Sequence, residues 1–105
     1  MDRIELLKQF IAEDPADPFP RYALALEYLH HDTEQARQCF RELRSQFPDY
    51  LPGYYPAAHL AIDLGDTEEA ERLFQSGMTL AKLQHDRKTE GELRQAYEQW
   101  LFERD

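Results

Sequence analysis

Asp32-Thr33-Glu34-Gln35-Ala36-Arg37-Gln38-Cys39-Phe40 and Asp66-Thr67-Glu68-Glu69-Ala70-Glu71-Arg72-Leu73-Phe74 are near copies that begin 34 residues apart, at positions 32 and 66. Each follows an aromatic-rich stretch of helical character, Tyr22-Ala23-Leu24-Ala25-Leu26 and Tyr55-Pro56-Ala57-Ala58-His59. The chain carries no strand signal. A repeat of this length without strands is the signature of a helical solenoid, in which each helical hairpin buries its apolar face against its neighbours. The expected fold class is all-α, with antiparallel helical hairpins stacked in series. Such an architecture favours binding over catalysis.

Composition agrees. Valine and asparagine are absent, while Ala, Leu, Glu, Gln and Arg, all good helix formers, dominate. With 105 residues the chain has the size of a single domain with a modest core. The formal net charge of -9 argues against nucleic acid, which needs clustered Lys and Arg, and against anionic membranes. It suits either a basic partner or simply a well-solvated surface. A lone cysteine, Cys39, cannot pair internally, so nothing points to an oxidising compartment. Asp2, Arg3, Glu5 and Lys8 make the N-terminus unlike a signal peptide, and no apolar run approaches the roughly 20 residues of a membrane helix. The expected location is cytoplasmic.

Helical spacing predicts about six helices. The first covers Asp2 to Glu13, with Ile4, Leu7, Phe10 and Ile11 recurring on its stripe, and stops at Asp14-Pro15. The second starts near Pro18 or Pro20, where a missing N–H is harmless, and ends near His30-His31. Asp32 or Thr33 caps the third, whose stripe is Ala36, Phe40, Leu43 and Phe47. The fourth takes in Tyr54 to Leu64 and is closed by Gly65. Asp66 or Thr67 caps the fifth, which carries Ala70, Leu73, Phe74, Gly77, Leu80 and Ala81 on its buried side and reaches about Gln84. A break at His85-Asp86-Arg87 precedes a sixth from Lys88 to Glu103, with Leu93, Ala96, Tyr97, Trp100 and Leu101 as its stripe.

The two units resemble tetratricopeptide repeats, helix-turn-helix units of about 34 residues. Leu24-Ala25 and Ala57-Ala58 match the family's large-small pair in the first helix, and Tyr28 with Ala61 the apolar residue one turn later. Gly65-Asp66 matches its turn, of which His31-Asp32 keeps only the acid. Ala36 and Ala70, then Phe40 and Phe74, match the small and aromatic positions of the second helix. Leu43 and Gly77 depart from the alanine preferred a turn later, and Lys82 replaces the closing proline kept as Pro48. Tyr22 and Tyr55 are 33 residues apart, one short of the period, which reads as a shortened turn around His30-His31. Asp17-Pro18-Phe19, Pro48-Asp49-Tyr50 and Tyr54-Tyr55 add a closer resemblance to small stand-alone bacterial tetratricopeptide-repeat proteins. The resemblance implies a right-handed solenoid divided into an N-terminal half repeat (1–15), a first repeat (17–50), a second repeat (51–84) and a C-terminal capping helix (87–105), all in one domain.

In this family the first helices of the hairpins line a concave groove that takes a peptide or helix of a partner. Carried over, the groove positions are Phe19, Tyr22, Leu26, Leu29 and His30 in the first unit and Tyr55, His59, Ile62 and Asp63 in the second. They make an aromatic-rimmed groove, unless a terminal helix folds over and buries them. The positions carry no Lys, Arg or Asn, so a carboxylate clamp is not expected. His30-His31-Asp32 is no convincing metal site, because adjacent helical residues point about 100° apart. Cys39 beside Phe40 reads as an apolar filler, and the acids of first turns, such as Glu34 and Glu68, answer the helix dipole. No phosphate loop, serine elbow or ligand cluster appears, so no enzyme, cofactor or metal is expected. The leading expectation is a protein-interaction module. The alternative is a scaffold that forms homo-oligomers through its terminal helices, with Trp100, Leu101 and Phe102 as the surface.

Overall fold

Aspartate side chains start five of the six helices found among the described residues. A computed structural model describes residues 2–104. It contains α1 (Arg3–Glu13), α2 (Pro18–Tyr28), α3 (Thr33–Gln46), α4 (Tyr54–Asp63), α5 (Thr67–Leu83) and α6 (Arg87–Arg104), and the described residues include no strand. Asp2, Asp17, Asp32, Asp66 and Asp86 each accept a hydrogen bond from a backbone N–H in the following turn, at 2.8–3.2 Å. These N–H groups have no carbonyl partner within the helix, and the acid also faces the positive end of the helix dipole. The caps expected at Asp32 or Thr33 and at Asp66 or Thr67 are thus the aspartates. Asp86 accepts in addition from the Thr89 hydroxyl at 2.8 Å, and these two bonds hold its carboxyl below the usual range. α4 begins differently, out of a 3-10 turn at Leu51–Gly53 that periodicity did not reveal.

The chain forms two compact units, one ending at Gly53 and the other beginning at Tyr54. In the first, α1 packs on α2 and α2 on α3. Leu7, Ala23 and Leu24 are buried together, with Ile4, Ile11, Tyr28 and Cys39 packed around them. Phe10 departs from expectation. It is 42% exposed, as is Leu6 at 36%. The pair lies at i, i+4 on a face of α1 turned away from the Ile4-Leu7-Ile11 stripe that meets α2. On α3, Ala36, Phe40 and Leu43 are buried. Leu43 owes its place to Gly53, where a Cβ would stand 3.0 Å from the leucine Cδ2.

In the second unit α5 packs against both α4 and α6. Ala58 and Ala70 are wholly buried, which lets helix backbones approach closely. Gly77, at the family's alanine position, has the same cause as Gly53 with the roles exchanged. A Cβ there would come 3.0 Å from Leu93 Cδ1 and 3.1 Å from Tyr54 Cβ, so the glycine makes room for Leu93 of α6. The burial of Leu93 and Trp100 follows the expected stripe, whereas Leu80, Ala96, Tyr97 and Leu101 are only half-buried.

α4 and α5 end in the same way. Gly65 N–H donates to Ile62 O and Asp66 N–H to Ala61 O, and His85 N–H donates to Lys82 O and Asp86 N–H to Ala81 O. This pair of bonds is the Schellman ending, and it needs a left-handed residue, here Gly65 at φ 77° and His85 at φ 58°. After α2 the Asp32 N–H instead reaches only four residues back, to Tyr28 O at 2.7 Å, and this is the shortened turn. The left-handed region costs a residue with a Cβ about 1–2 kcal/mol, and glycine returns about 0.5–1 kcal/mol of that in unfolded-chain entropy. His85 is exposed, so His85→Gly is expected to stabilise the chain by about 0.5–1 kcal/mol. That gain should raise the thermal midpoint by about 2–6 °C in a circular-dichroism melt. An unchanged or lower midpoint would show that the histidine side chain contributes more than the strain it brings.

Candidate functional site

The second unit carries a cleft of about 570 Å³ between α4 and α6. One wall is Tyr55, His59 and Ile62, which recur every three or four residues and so share one face of α4. The opposite wall is a face of α6 made by Glu92, Gln95, Ala96 and Gln99, with Trp100, Glu103 and Arg104 completing it at the C-terminal end. Phe74 of α5, itself fully buried, joins the two walls from behind. Its ring centroid lies 6.2 Å from His59, 5.4 Å from Tyr97 and 5.9 Å from Trp100. Tyr55 meets His59 with the rings tilted by 52° and their centroids 4.6 Å apart, and the Arg104 guanidinium covers the Trp100 ring at 4.5 Å. α6 is also pinned to α5 by polar bonds: the Tyr97 hydroxyl donates to Glu71 at 2.8 Å and accepts from Gln75 at 3.4 Å. The bond to Glu71, and after it partial burial, raises the Tyr97 phenol above its ordinary range, so it stays a neutral donor.

A second depression, about 670 Å³, lies between α5 and α6 and includes Met78, Tyr97 and Leu101. Its charges engage one another: Glu90 meets Arg94 at 2.6 Å and Lys82 at 3.8 Å. The hydrogen bond from Arg94 is the main reason the Glu90 carboxyl sits low. With aromatic walls and amide side chains facing the opening, the α4–α6 cleft is the better candidate.

Of the positions expected to line a groove, Tyr55, His59 and Ile62 come together in this cleft, while Asp63 is exposed and is not among its lining residues. In the first unit Phe19 is 58% exposed, Tyr22, Leu26 and Leu29 are half-buried, and His30 is exposed beyond the end of α2. Tyr22 meets Tyr50 edge to face at 5.8 Å. Burial, and next the neighbouring Tyr22, push the Tyr50 phenol up. The α6 wall was not legible as a site. Its stripe of Glu92, Gln95, Gln99 and Glu103 is polar and resembles any solvated helix face, and its three- and four-residue spacing was the only signal. Trp100, expected on the stripe of the last helix and, in the alternative reading, on an oligomer surface with Leu101 and Phe102, is 8% exposed and belongs to the cleft wall and the core. Leu101 is half-buried, and Phe102 is 85% exposed. Among the described residues no group of three or more His, Cys, Asp or Glu gathers as a metal site, and no helix is long and apolar enough to cross a membrane.

A tetratricopeptide repeat domain protein from Salinibacter ruber, solved in solution by NMR, is 39% identical to this chain. The match covers 79% of this chain and 85% of that one, with a TM-score of 0.74. A crystal structure of a tetratricopeptide repeat domain protein from the same organism is 37% identical over 76% of this chain and 91% of that one, with a TM-score of 0.72. PcrH, crystallised in complex with the chaperone binding region of PopD, matches 97% of this chain and 78% of its own with a TM-score of 0.85. At 20% identity that last likeness concerns the fold alone. Neither a protein-family model nor a curated protein matches the sequence.

Proposed function

The chain belongs to the tetratricopeptide-repeat family, and from that premise we propose that it binds a segment of a partner protein, with the α4–α6 cleft of the second unit as a seat. The observation that carries this reading is the cleft itself. It sets an aromatic pair, Tyr55 and His59, against a polar helix face, and Tyr55 is 40% exposed. Large, stiff aromatic residues with polar tips make strong anchors for a partner. PcrH, which shares the fold, was crystallised with a binding region of another protein, and this supports a role in protein binding. The same proposal assigns Phe19, Tyr22, Leu26, Leu29 and His30 of the first unit to partner contact. The cytoplasm is the proposed compartment, and no catalytic role is assigned.

Loss of an anchor residue typically costs about 2 kcal/mol or more. Tyr22→Ala combined with Tyr55→Ala is therefore expected to abolish recovery of the native partner from lysate, while circular dichroism stays helical. Charge reversal at Glu34 or Glu68, exposed in first turns, should matter far less. Recovery of the same partner at the same level would rule out these faces, and an unfolded variant would place the tyrosines in the core. Assembly through the terminal helices is the second reading, and Phe102 is the exposed residue that favours it. Size-exclusion chromatography with light scattering separates it from the first, since it requires a stable oligomer that Phe102→Ser disrupts.

A further inference from the structure

We infer that the α4–α6 cleft selects an extended partner segment whose apolar residues are flanked by basic ones; this rests on the cleft being the seat proposed above. On the α6 wall Glu92 and Glu103 bracket Gln95 and Gln99, all exposed. Steps of three and four residues keep them on one face. At 1.5 Å per residue the two acids stand about 16 Å apart along the helix, with the amides between. Each glutamine offers both a donor and an acceptor. An extended segment brings unpaired backbone N–H and C=O groups that such amides can satisfy, whereas a helix has already paired its own. The aromatic pair of the facing wall, Tyr55 and His59, takes the apolar side chains between the two ends.

Charge gives the direction of the preference. The chain carries a formal net charge of -9, and the acids stand at both ends of the polar wall. Strand spacing is about 3.3 Å per residue with alternate side chains on one face. Residues four or six apart on a partner thus present two cations to the two acids and leave apolar side chains between them, on the same face, to enter the cleft. Arg104 is the cation among the described lining residues. Stacked on Trp100 at 4.5 Å beside Glu103, it occupies ground that a partner cation would approach, and it weakens the field there.

The test uses the whole chain and three fluorescein-labelled heptapeptides read by anisotropy: Arg-Ser-Leu-Ser-Phe-Ser-Arg, and the same peptide with glutamine or glutamate at both ends. The arginine peptide is expected to bind at least tenfold tighter than the glutamate peptide at low salt, with the glutamine peptide between them. The gap should narrow in about 0.5 M salt, where charges are screened within a few ångströms. Glu92→Gln with Glu103→Gln should erase the preference and leave the glutamine peptide unaffected, and Arg104→Gln should tighten the arginine peptide. Equal binding of all three peptides, tighter binding of the glutamate peptide, or no saturable binding of the arginine peptide would overturn the inference. Tyr55→Ala tells the two failures apart. Binding that ignores end charge but is lost in Tyr55→Ala sinks the charge preference and leaves the cleft as the seat. Binding untouched by Tyr55→Ala removes the seat, and this inference with it.

Discussion

Phe74→Ala is expected to lower the unfolding free energy by about 3–5 kcal/mol, the usual cost of emptying a buried phenylalanine site. Phe74 has no exposed surface, and its ring meets His59, Tyr97 and Trp100 from three directions. Those neighbours sit on two helices and are partly held by other contacts, such as the Tyr97–Glu71 hydrogen bond, so they cannot simply collapse into the space. A domain of this size has about 5–15 kcal/mol to lose. The variant should therefore unfold at far lower urea. Trp100 is the lone tryptophan and lies 5.9 Å from the ring that is removed, so its fluorescence reports the transition locally. Because Phe74 joins the two walls of the cleft, peptide affinity should fall as well, even below the unfolding transition. A loss under about 1 kcal/mol would show that α4 and α6 close the gap unaided.

Ala36→Leu and Ala70→Leu together should destabilise the chain by about 2–6 kcal/mol, each change adding about 1–3 kcal/mol of overpacking. Both alanines are completely buried at the same place in the repeat, near the start of α3 and of α5. α3 packs on α2, and α5 on α4. A side chain larger by three carbons has no room at such contacts without moving a helix. The two alanines belong to different units, and the two costs are expected to add. Urea midpoints of the two single variants and the double variant check this. Leucine is as good a helix former as most residues, so an unchanged midpoint could not be blamed on propensity and would mean that the helices do not meet there.

Local signals carried much of the architecture. The copied Asp-Thr-Glu blocks set the repeat, and the 3.6-residue period set the helices. The pairs Asp32-Thr33 and Asp66-Thr67 announced two caps, because a side chain that binds a backbone N–H two or three residues on needs nothing from elsewhere in the chain; the structure assigns both to the aspartates. Ala36, Phe40, Ala70 and Phe74 were legible as packing residues, since both hairpins repeat the same small-then-aromatic spacing. The departures Leu43 and Gly77 could be seen but not explained. Only the folded chain shows that Gly53 makes room for Leu43 and that Gly77 makes room for Leu93.

What the sequence by itself determined was the repeat, the all-helical class, the places of two of the five caps and, through the family resemblance, one wall of the candidate site, Tyr55, His59 and Ile62. Tertiary structure alone decided that Phe10 faces outward, that Arg104 lies over the Trp100 ring, and that the polar face of α6 becomes the opposite wall of the cleft. The physical reason is that periodicity states which residues share a face, and only a neighbouring helix decides whether that face is covered. Phe10 and Trp100 are both large aromatics on amphipathic helices. Phe10 stays 42% exposed, whereas Trp100 meets Phe74 of α5.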